Sequence, residues 1–566
     1  MDKTDLLPVP IHYVTLSERY ALLTKRPTIE IVMGPDEILT PDEQRRFASD
    51  LTSVNFGKEG YVLRIKNNGV SIFAYTGAGE YRGRKTLDRI LSKTNGVLPN
   101  VLIVDYPAFA IRGFMEGYTG YPWAEHRGEM IERCAGFGFN TFVLGPNEFD
   151  LLIKWREKFP KEYRDHLASL AARADANFVN FAYKVIPFGV DMSSQSDVEA
   201  FKRKTEELAD IGVQAIVIGL DDFFRGQTAE DHGRAHAKFA NKIAKELGRR
   251  NVLVYLVPAI YHRGNRYLSA LGNFVPIIYH DKDKYFSTLG RELDERVQVG
   301  WTGRKIVSPE VTLGDAENLE GLLRRKPFLG HNFPVVNETD RKRIIYLGPL
   351  KGLDPHLADY LDGISFNFMP LPFASLIPGL TCADYAWNPR DYNPKKSARN
   401  SSLANGSLDL LRLVELNPET SVDPRAVHPL TRVINGGNHH KPLSRMTEDE
   451  KQQLRETFTM MSALAYTLLP PTIDPRLYDE LKPLLYQASA VGGLGEGLLD
   501  GNLSKVGLFP KIFAGVKMIG GYRFSGVEVE NWIMREMGFP VSLMPNLRIL
   551  ADVKDRILRG RHSKQK

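Results

Sequence analysis

Between Ala110 and Phe368 the chain repeats one rhythm, a short run of β-forming residues followed by a longer stretch of helical periodicity. The runs Ile111–Tyr118, Thr141–Leu144, Phe178–Val185, Ala215–Leu220, Val252–Val257, Val297–Trp301, Pro327–His331 and Gly363–Phe368 read as strands. Amphipathic helices lie between them, clearest at Lys161–Ala174, Asp197–Asp210 and Ala229–Leu247. Ser196-Asp197 and Thr228 stand where N-caps belong, because a short polar side chain there accepts an otherwise unpaired backbone N–H. Eight such units over roughly 270 residues have the size and rhythm of a (β/α)8 barrel, an α/β fold of the TIM type. A doubly wound open sheet shares the alternation. The barrel is preferred because polar or small residues recur at the carboxyl ends of the strands, where barrel enzymes place their sites.

At 566 residues the chain is too long for one core, and its flanks differ in texture. Before the barrel, Thr28–Met33, Gly60–Ile65 and Gly69–Tyr75 read as strands, the last two joined by the turn Asn67-Asn68-Gly69. Arg82–Leu91 reads as an amphipathic helix, which makes this a small α/β domain with an antiparallel sheet. Beyond Asp384 the pattern is mainly helical, as in Glu448–Leu468 and Pro475–Tyr486, and Asn388–Gly406 has the composition of a linker. The division expected is 1–109, an N-terminal α/β domain; 110–387, the barrel; and 388–566, a C-terminal helical domain.

Composition excludes several function classes. The net charge of +6 is small for the length, and six Lys and Arg fall in the closing run Lys554 to Lys566, a solvated tail rather than a nucleic-acid surface. With only Cys134 and Cys382 there is no disulfide framework. Met1–Tyr13 lacks the basic-then-apolar pattern of a signal peptide, and no apolar run is long enough to span a membrane. A cytoplasmic protein without cofactor is expected.

The strongest local signal is Ala215-Ile-Val-Ile-Gly-Leu-Asp221-Asp222, a buried-looking strand that delivers two carboxylates at its end. Like charges side by side raise at least one pKa and leave a proton donor beside an anion, the division of labour that glycosidic cleavage needs. A helix N-cap or a metal site also explains such a pair. Gly493-Leu-Gly495-Glu-Gly497 superficially suggests a phosphate loop, but no strand precedes it. His428, His439 and His440 match no standard metal spacing and read as surface loop.

Arg112-Gly-Phe-Met-Glu-Gly117-Tyr-Thr-Gly120-Tyr-Pro-Trp123 resembles the first barrel strand of glycoside hydrolase family 84, which includes bacterial β-N-acetylglucosaminidases and eukaryotic O-GlcNAcases. Further motifs follow in that family's order. They are Asn140-Thr-Phe-Val-Leu-Gly-Pro146, Lys154-Trp-Arg-Glu157, Asp221-Asp222 with Ala235-His236-Ala237, Pro258-Ala-Ile-Tyr261, Trp301-Thr-Gly303, Asn332-Phe-Pro334, Leu347-Gly-Pro-Leu-Lys-Gly352 and Ala383-Asp-Tyr-Ala-Trp387. The resemblance spans roughly residues 25–390 of the chain. It implies a retaining exo-β-N-acetylhexosaminidase acting on a carbohydrate or glycoconjugate. The substrate's own 2-acetamido oxygen would attack the anomeric carbon and form an oxazoline. Asp221 would orient the acetamido N–H, and Asp222 would act as general acid and then base. Tyr261 and Asn332 match positions that hold the acetamido group, Asn367 one that contacts sugar hydroxyls, and Gly117 one whose main chain approaches the sugar. Trp301 is a further substrate-site candidate, with a core aromatic as its other reading.

The chain departs from the family pattern at the pocket's outer wall. Asn147 stands where a Lys is usual, Gly330 where strand seven usually supplies a Trp, and Asn337 where an Asp is usual; Asp340 is a second candidate for that carboxylate. These departures imply that a 2-acetamido sugar is still read but that its decoration differs from plain GlcNAc. A non-catalytic sugar-binding protein on the same barrel is the alternative, against which the retention of Asp221 and Asp222 counts. A metal-dependent barrel hydrolase would need a His-x-His pair on strand one, which is missing. For the C-terminal helices, completing the pocket rim and forming a homodimer both stay open.

Overall fold

The computed structural model describes residues 2–22, 27–67, 69–94, 97–116, 123–145, 153–220, 228–263, 266–268, 274–276, 281–335, 345–417, 430, 433, 441–501 and 533. The chain divides into two compact units, Met1–Thr339 with Pro349–Ser401 and Asp340–Gly348 with Ser402–Lys566.

The first unit begins with a five-stranded sheet built from β1 (His12–Leu22), β2 (Ile29–Val32), β3 (Tyr61–Lys66), β4 (Gly69–Phe73) and β5 (Val97–Asp105), in the order β1-β5-β3-β4-β2. All pairs are antiparallel except β2 with β4. The hairpin expected at Asn67–Gly69 forms: Lys66 pairs with Gly69, and Asn67 takes φ +49°, a conformation Asn tolerates well. Strand side chains alternate between two cores, one including Leu63, Ile65, Ile72 and Ile103, the other Val62, Phe73, Leu102 and Val104. The helix Gly77–Lys93 supplies Leu87 and Ile90 to the first of these and is capped by Thr76, whose hydroxyl accepts from Gly79 N at 3.1 Å.

Eight parallel strands follow: β6 (Ile111–Glu116), β7 (Thr141–Leu144), β8 (Asn180–Val185), β9 (Ala215–Gly219), β10 (Leu253–Val257), then β13 (Val297–Trp301), β14 (Phe328–His331) and β15 (Gly363–Phe368). A short antiparallel pair, β11 (Arg266–Leu268) with β12 (Phe274–Pro276), separates β10 from β13. The eight close on themselves in chain order, so the expected barrel is the one observed. The helices Lys161–Ala176, Gln195–Ile211 and Ala229–Leu247 cover it where expected. One start differs. The helix read from Asp197 begins at Gln195 with Ser194 before it, and Asp197 instead takes Arg156 and the Asp191 backbone N–H as donors.

Inside the barrel, alternate strands contribute alternate tiers of side chains, as register and strand tilt require. Ala182 and Tyr255 lie in one tier with Phe328, whose ring meets Tyr255 edge-on at 5.2 Å. Val143 and Val217 lie above them with Gly300 and Ser365, and the tier above that holds Met115, Lys184, Val257 and Gly330. The floor is therefore filled, and any cavity opens only toward the carboxyl ends of the strands.

A buried ionic clasp fastens the N-terminal sheet domain beneath the barrel. Glu59 accepts from Arg112 Nη2 at 2.6 Å, Arg82 Nε at 3.0 Å and Asn140 Nδ2 at 2.6 Å. Burial raises the Glu59 carboxyl, but Arg112 and Arg82 outweigh it and hold the group down at about 2. Asn388–Gly406, whose composition reads as a linker, holds the helix Pro394–Ala404. Within that stretch Ser401 donates to Ile377 O, and the Asn388 side chain donates to Val9 O and Pro10 O.

The second unit includes the helices Asp409–Leu416, Glu448–Thr467 and Pro475–Leu499. Thr447 and Glu450 form a reciprocal capping box at the start of the second. The glycine run at Gly493–Gly497 lies inside the third helix rather than in a loop, and glycine there sets helix spacing: a Cβ on Gly492 would stand 2.5 Å from Phe458 O and Ser462 N. Among the described residues no helix is long and apolar enough to cross a membrane.

Candidate active site

Asn367 is the inward-facing residue near the end of β15, and Asn332 lies one residue past the end of β14. The two amides meet: Asn367 Nδ2 donates to Asn332 Oδ1 at 3.0 Å, and Asn332 Nδ2 donates to Ile306 O at 2.8 Å. This chain fixes both side chains. It leaves Asn367 Oδ1 buried with no partner among the described residues, an acceptor at the open end of the barrel. Val335 N donates to Asn367 O at 2.9 Å and ties the loop after β14 to the same place.

Tyr261 lies in the loop that follows β10 and is nearly buried. Its carbonyl accepts from Thr302 N at 2.8 Å, and Arg263 N donates to Gly303 O at 3.1 Å, so the loops after β10 and β13 are stitched together. Trp301, the last residue of β13, lies on the opposite side of its strand from inward-facing Gly300. It is 2% exposed, and its indole N–H has no partner among the described residues. The structure brings Asn332 and Asn367 into contact and does not group Trp301 with them. Gly117, Asn147, Asp221, Asp222, Asn337 and Asp340 lie outside the described residues, as do His428, His439 and His440. The described part of β9 ends at Gly219, and Leu220 N donates to Val257 O at 2.9 Å, directly before the two aspartates in sequence.

Several motif residues turn out to position the site rather than belong to it. Glu116, buried at the end of β6, accepts from Arg127 Nε at 2.7 Å, Arg127 Nη2 at 3.0 Å and Trp123 N at 3.0 Å. It thus holds what lies on either side of residues 117–122. Trp123 Nε1 donates to Met369 O at 3.0 Å, and its ring stacks on Phe142. Sequence reasoning assigned Glu116 no role; the available signal was one acid at the end of an apolar strand with an arginine eleven positions on. Trp155 Nε1 donates to Phe188 O at 3.0 Å, and Arg156 lies over the Trp155 ring while pairing with Asp197. His236 faces Tyr285 with Nδ1 2.7 Å from the hydroxyl; burial, and then His232 beside it, lower its pKa to about 3 and keep it neutral. Among the described residues no three metal-ligating side chains converge.

A closed eight-stranded parallel barrel with polar side chains and stitched loops at the carboxyl ends of its strands belongs to the TIM-type barrels, which place their sites at that end. The model of the beta-N-acetylglucosaminidase family matches residues 112–407, and that of glycosyl hydrolase family 20, domain 2, matches residues 18–106. The chain belongs to the β-N-acetylglucosaminidase family, glycoside hydrolase family 84. It is 28% identical over 265 residues to the protein O-GlcNAcase of Rattus norvegicus, a match that spans 45% of this chain and 27% of that protein. Its fold resembles CpGH84B, with a TM-score of 0.75 and 22% identity over 94% of this chain and 99% of that one. It also resembles a mutant of the Thermobaculum terrenum O-GlcNAc hydrolase, with a TM-score of 0.62 and 23% identity over 76% of this chain and 94% of that one.

Proposed function

We propose that the chain is a retaining exo-β-N-acetylhexosaminidase that removes a terminal 2-acetamido sugar by substrate-assisted catalysis. The observation that carries this reading is β9, a buried barrel strand whose open end leads in sequence straight into Asp221-Asp222. In this mechanism the nucleophile arrives with the substrate. The acetamido oxygen attacks the anomeric carbon from within the sugar, so no carboxylate is required across the ring, and two neighbouring aspartates suffice. Asp221 orients the acetamido N–H and offsets the positive charge of the oxazoline. Asp222 protonates the departing oxygen and then takes a proton from the incoming water. Tyr261 and Asn332 hold the acetamido group, Asn367 accepts from a sugar hydroxyl through its unpartnered Oδ1, and the main chain at Gly117 approaches the ring. Asn147 and either Asn337 or Asp340 line the outer wall, whereas Trp301, buried on the outer side of its strand, serves as a core aromatic.

The test is a panel of aryl 2-acetamido-2-deoxy-β-hexosides with leaving groups of graded acidity. Asp222→Asn should lower kcat about 100- to 10,000-fold on poor leaving groups and recover much of the rate on the most acidic phenols. Equal losses across the panel would remove Asp222 from the acid role. Undiminished turnover of the 2-hydroxy analogues, or an inverted product, would remove the substrate-assisted mechanism altogether.

A further inference from the structure

The pair Asn332–Asn367 ends on a backbone carbonyl, Ile306 O, which belongs to the loop after β13. A loop carbonyl is a firm anchor only where the loop itself is held, and this one is held by its own side chains. Ser308, a little past Ile306 in the chain, is fully buried. Its hydroxyl has a single proton to give. The nearer acceptor is Thr302 O at 2.7 Å, and the same oxygen accepts from Lys305 N at 3.0 Å. Lys305 O lies farther from it, at 3.1 Å, and is served instead by the Thr302 hydroxyl at 2.8 Å. The two hydroxyls thus close a ring over Thr302–Ser308. The Thr-Gly of the motif Trp301-Thr-Gly303 has its use here, because Gly303 takes φ +93° and a Cβ on it would overlap Ser308 Oγ.

The ring is fixed to its surroundings on two sides. On one, Thr302 N donates to Tyr261 O at 2.8 Å and Arg263 N to Gly303 O at 3.1 Å. On the other, Arg304 Nε donates at 2.7 Å to Asp315, the carboxylate that forms a capping box with Thr312 at the start of the helix Leu313–Leu323. Pinned in this way, the loop gives the Ile306 carbonyl one direction, and Asn332 is oriented by it. We propose that Ser308 is a positioning residue: through the Ile306 carbonyl it sets the attitude of Asn332, and through Asn332 that of Asn367, toward the 2-acetamido sugar. This rests on the proposed function, in which Asn332 holds the acetamido group. An acetamide held slightly askew is still bound, but its oxygen is less often in line with the anomeric carbon, so the loss belongs in kcat.

The experiment is a double-mutant cycle in the full chain with Ser308→Ala and Asn332→Ala. Values of kcat and KM are measured on an activated aryl 2-acetamido-2-deoxy-β-glucoside, and urea unfolding checks that each variant is folded at the assay temperature. Ser308→Ala should lower kcat about 3- to 30-fold and change KM less than about threefold. In the Asn332→Ala background the same substitution should cost kcat nothing further, because the amide it steers is gone. A serine that merely keeps the loop folded would instead give losses that multiply. Thr302→Val removes the other hydroxyl of the ring and should repeat the pattern; it decides the matter if Ser308→Ala is unfolded. Losses that multiply, or a wild-type kcat in Ser308→Ala, overturn the proposal and leave the hydrolase reading in place. A wild type that neither binds nor cleaves 2-acetamido sugars overturns that reading first, and this inference falls with it.

Discussion

Asn367 holds its amide in a fixed attitude because Asn332 accepts its N–H and is itself anchored to Ile306 O. Two short side chains with few rotamers thus form a rigid bracket, and the remaining acceptor is pre-aimed. Asn367→Ala removes both the acceptor and the tether of Asn332. It should lower kcat/KM on an aryl 2-acetamido glycoside about 10- to 100-fold with little change in unfolding midpoint, measured by steady-state kinetics beside urea denaturation. An unchanged kcat/KM would remove Asn367 from the site. Single residues of this kind were legible in the sequence as polar endings of apolar runs. Lys184 was not singled out, although it breaks an apolar strand in the same way, because a lysine near a strand end is ordinarily solvated. Only the register of β8 against its neighbours turns it inward. Glu116 was hidden for another reason: its meaning lies in the buried Arg127 and the Trp123 backbone, partners that strand periodicity does not reveal.

Among elements, those with clean periodicity were read well and those with interruptions were missed. β7, β13 and β15 run where their apolar residues run. β1 was overlooked because Ser17-Glu18-Arg19 breaks its alternation, and the strand accommodates the break with register shifts between Thr15 and Ser17 and between Ser17 and Tyr20. β5 carries Pro99 and Asn100 in mid-strand, which argue against a strand on local grounds. Asn100 earns its place through tertiary contacts, accepting from Asn67 N and donating to Ser17. The helix Pro475–Leu499 was cut short at Tyr486 because its second half is rich in glycine, a poor helix former. Packing decides the matter, and two neighbouring glycines separate the effects. Gly492→Ala gains about 1 kcal/mol of helix propensity but sets a methyl against the backbone at Phe458 and Ser462, an overpacking cost of about 1–3 kcal/mol. Gly493→Ala has nothing within 4 Å and keeps only the gain. Denaturant unfolding should therefore show the first variant less stable than wild type and the second more stable; the same sign for both would contradict the packing described.

At the scale of the whole molecule, the first unit is fastened by buried polar groups that a sequence read element by element does not anticipate. Asp384 accepts from Val9 N at 2.7 Å and is fully enclosed, and burial raises its carboxyl to about 6. The folded chain thus holds this proton more firmly than the unfolded chain, where the group titrates near 3.8. Its contribution to stability is greatest below that lower value, is lost as pH climbs through about 6, and is level above. Asp384→Asn keeps an acceptor for Val9 and has no charge to bury. Its stability relative to wild type should climb across that window and level off at ~3 kcal/mol higher, read from urea melts at stepped pH. A difference independent of pH would overturn the assignment. Class, strand order and the open end of the barrel were legible because they follow from periodicity summed over many residues. The fasteners were not, because each joins segments far apart in the chain. The Glu59 clasp has an engineering corollary. The carboxylate that neutralises the first barrel strand's Arg112 comes from the preceding domain, so a barrel excised at Ala110 would keep a cation in its base and leave the counter-ion behind. This barrel is not a portable module, and transplanting it means carrying its foundation along.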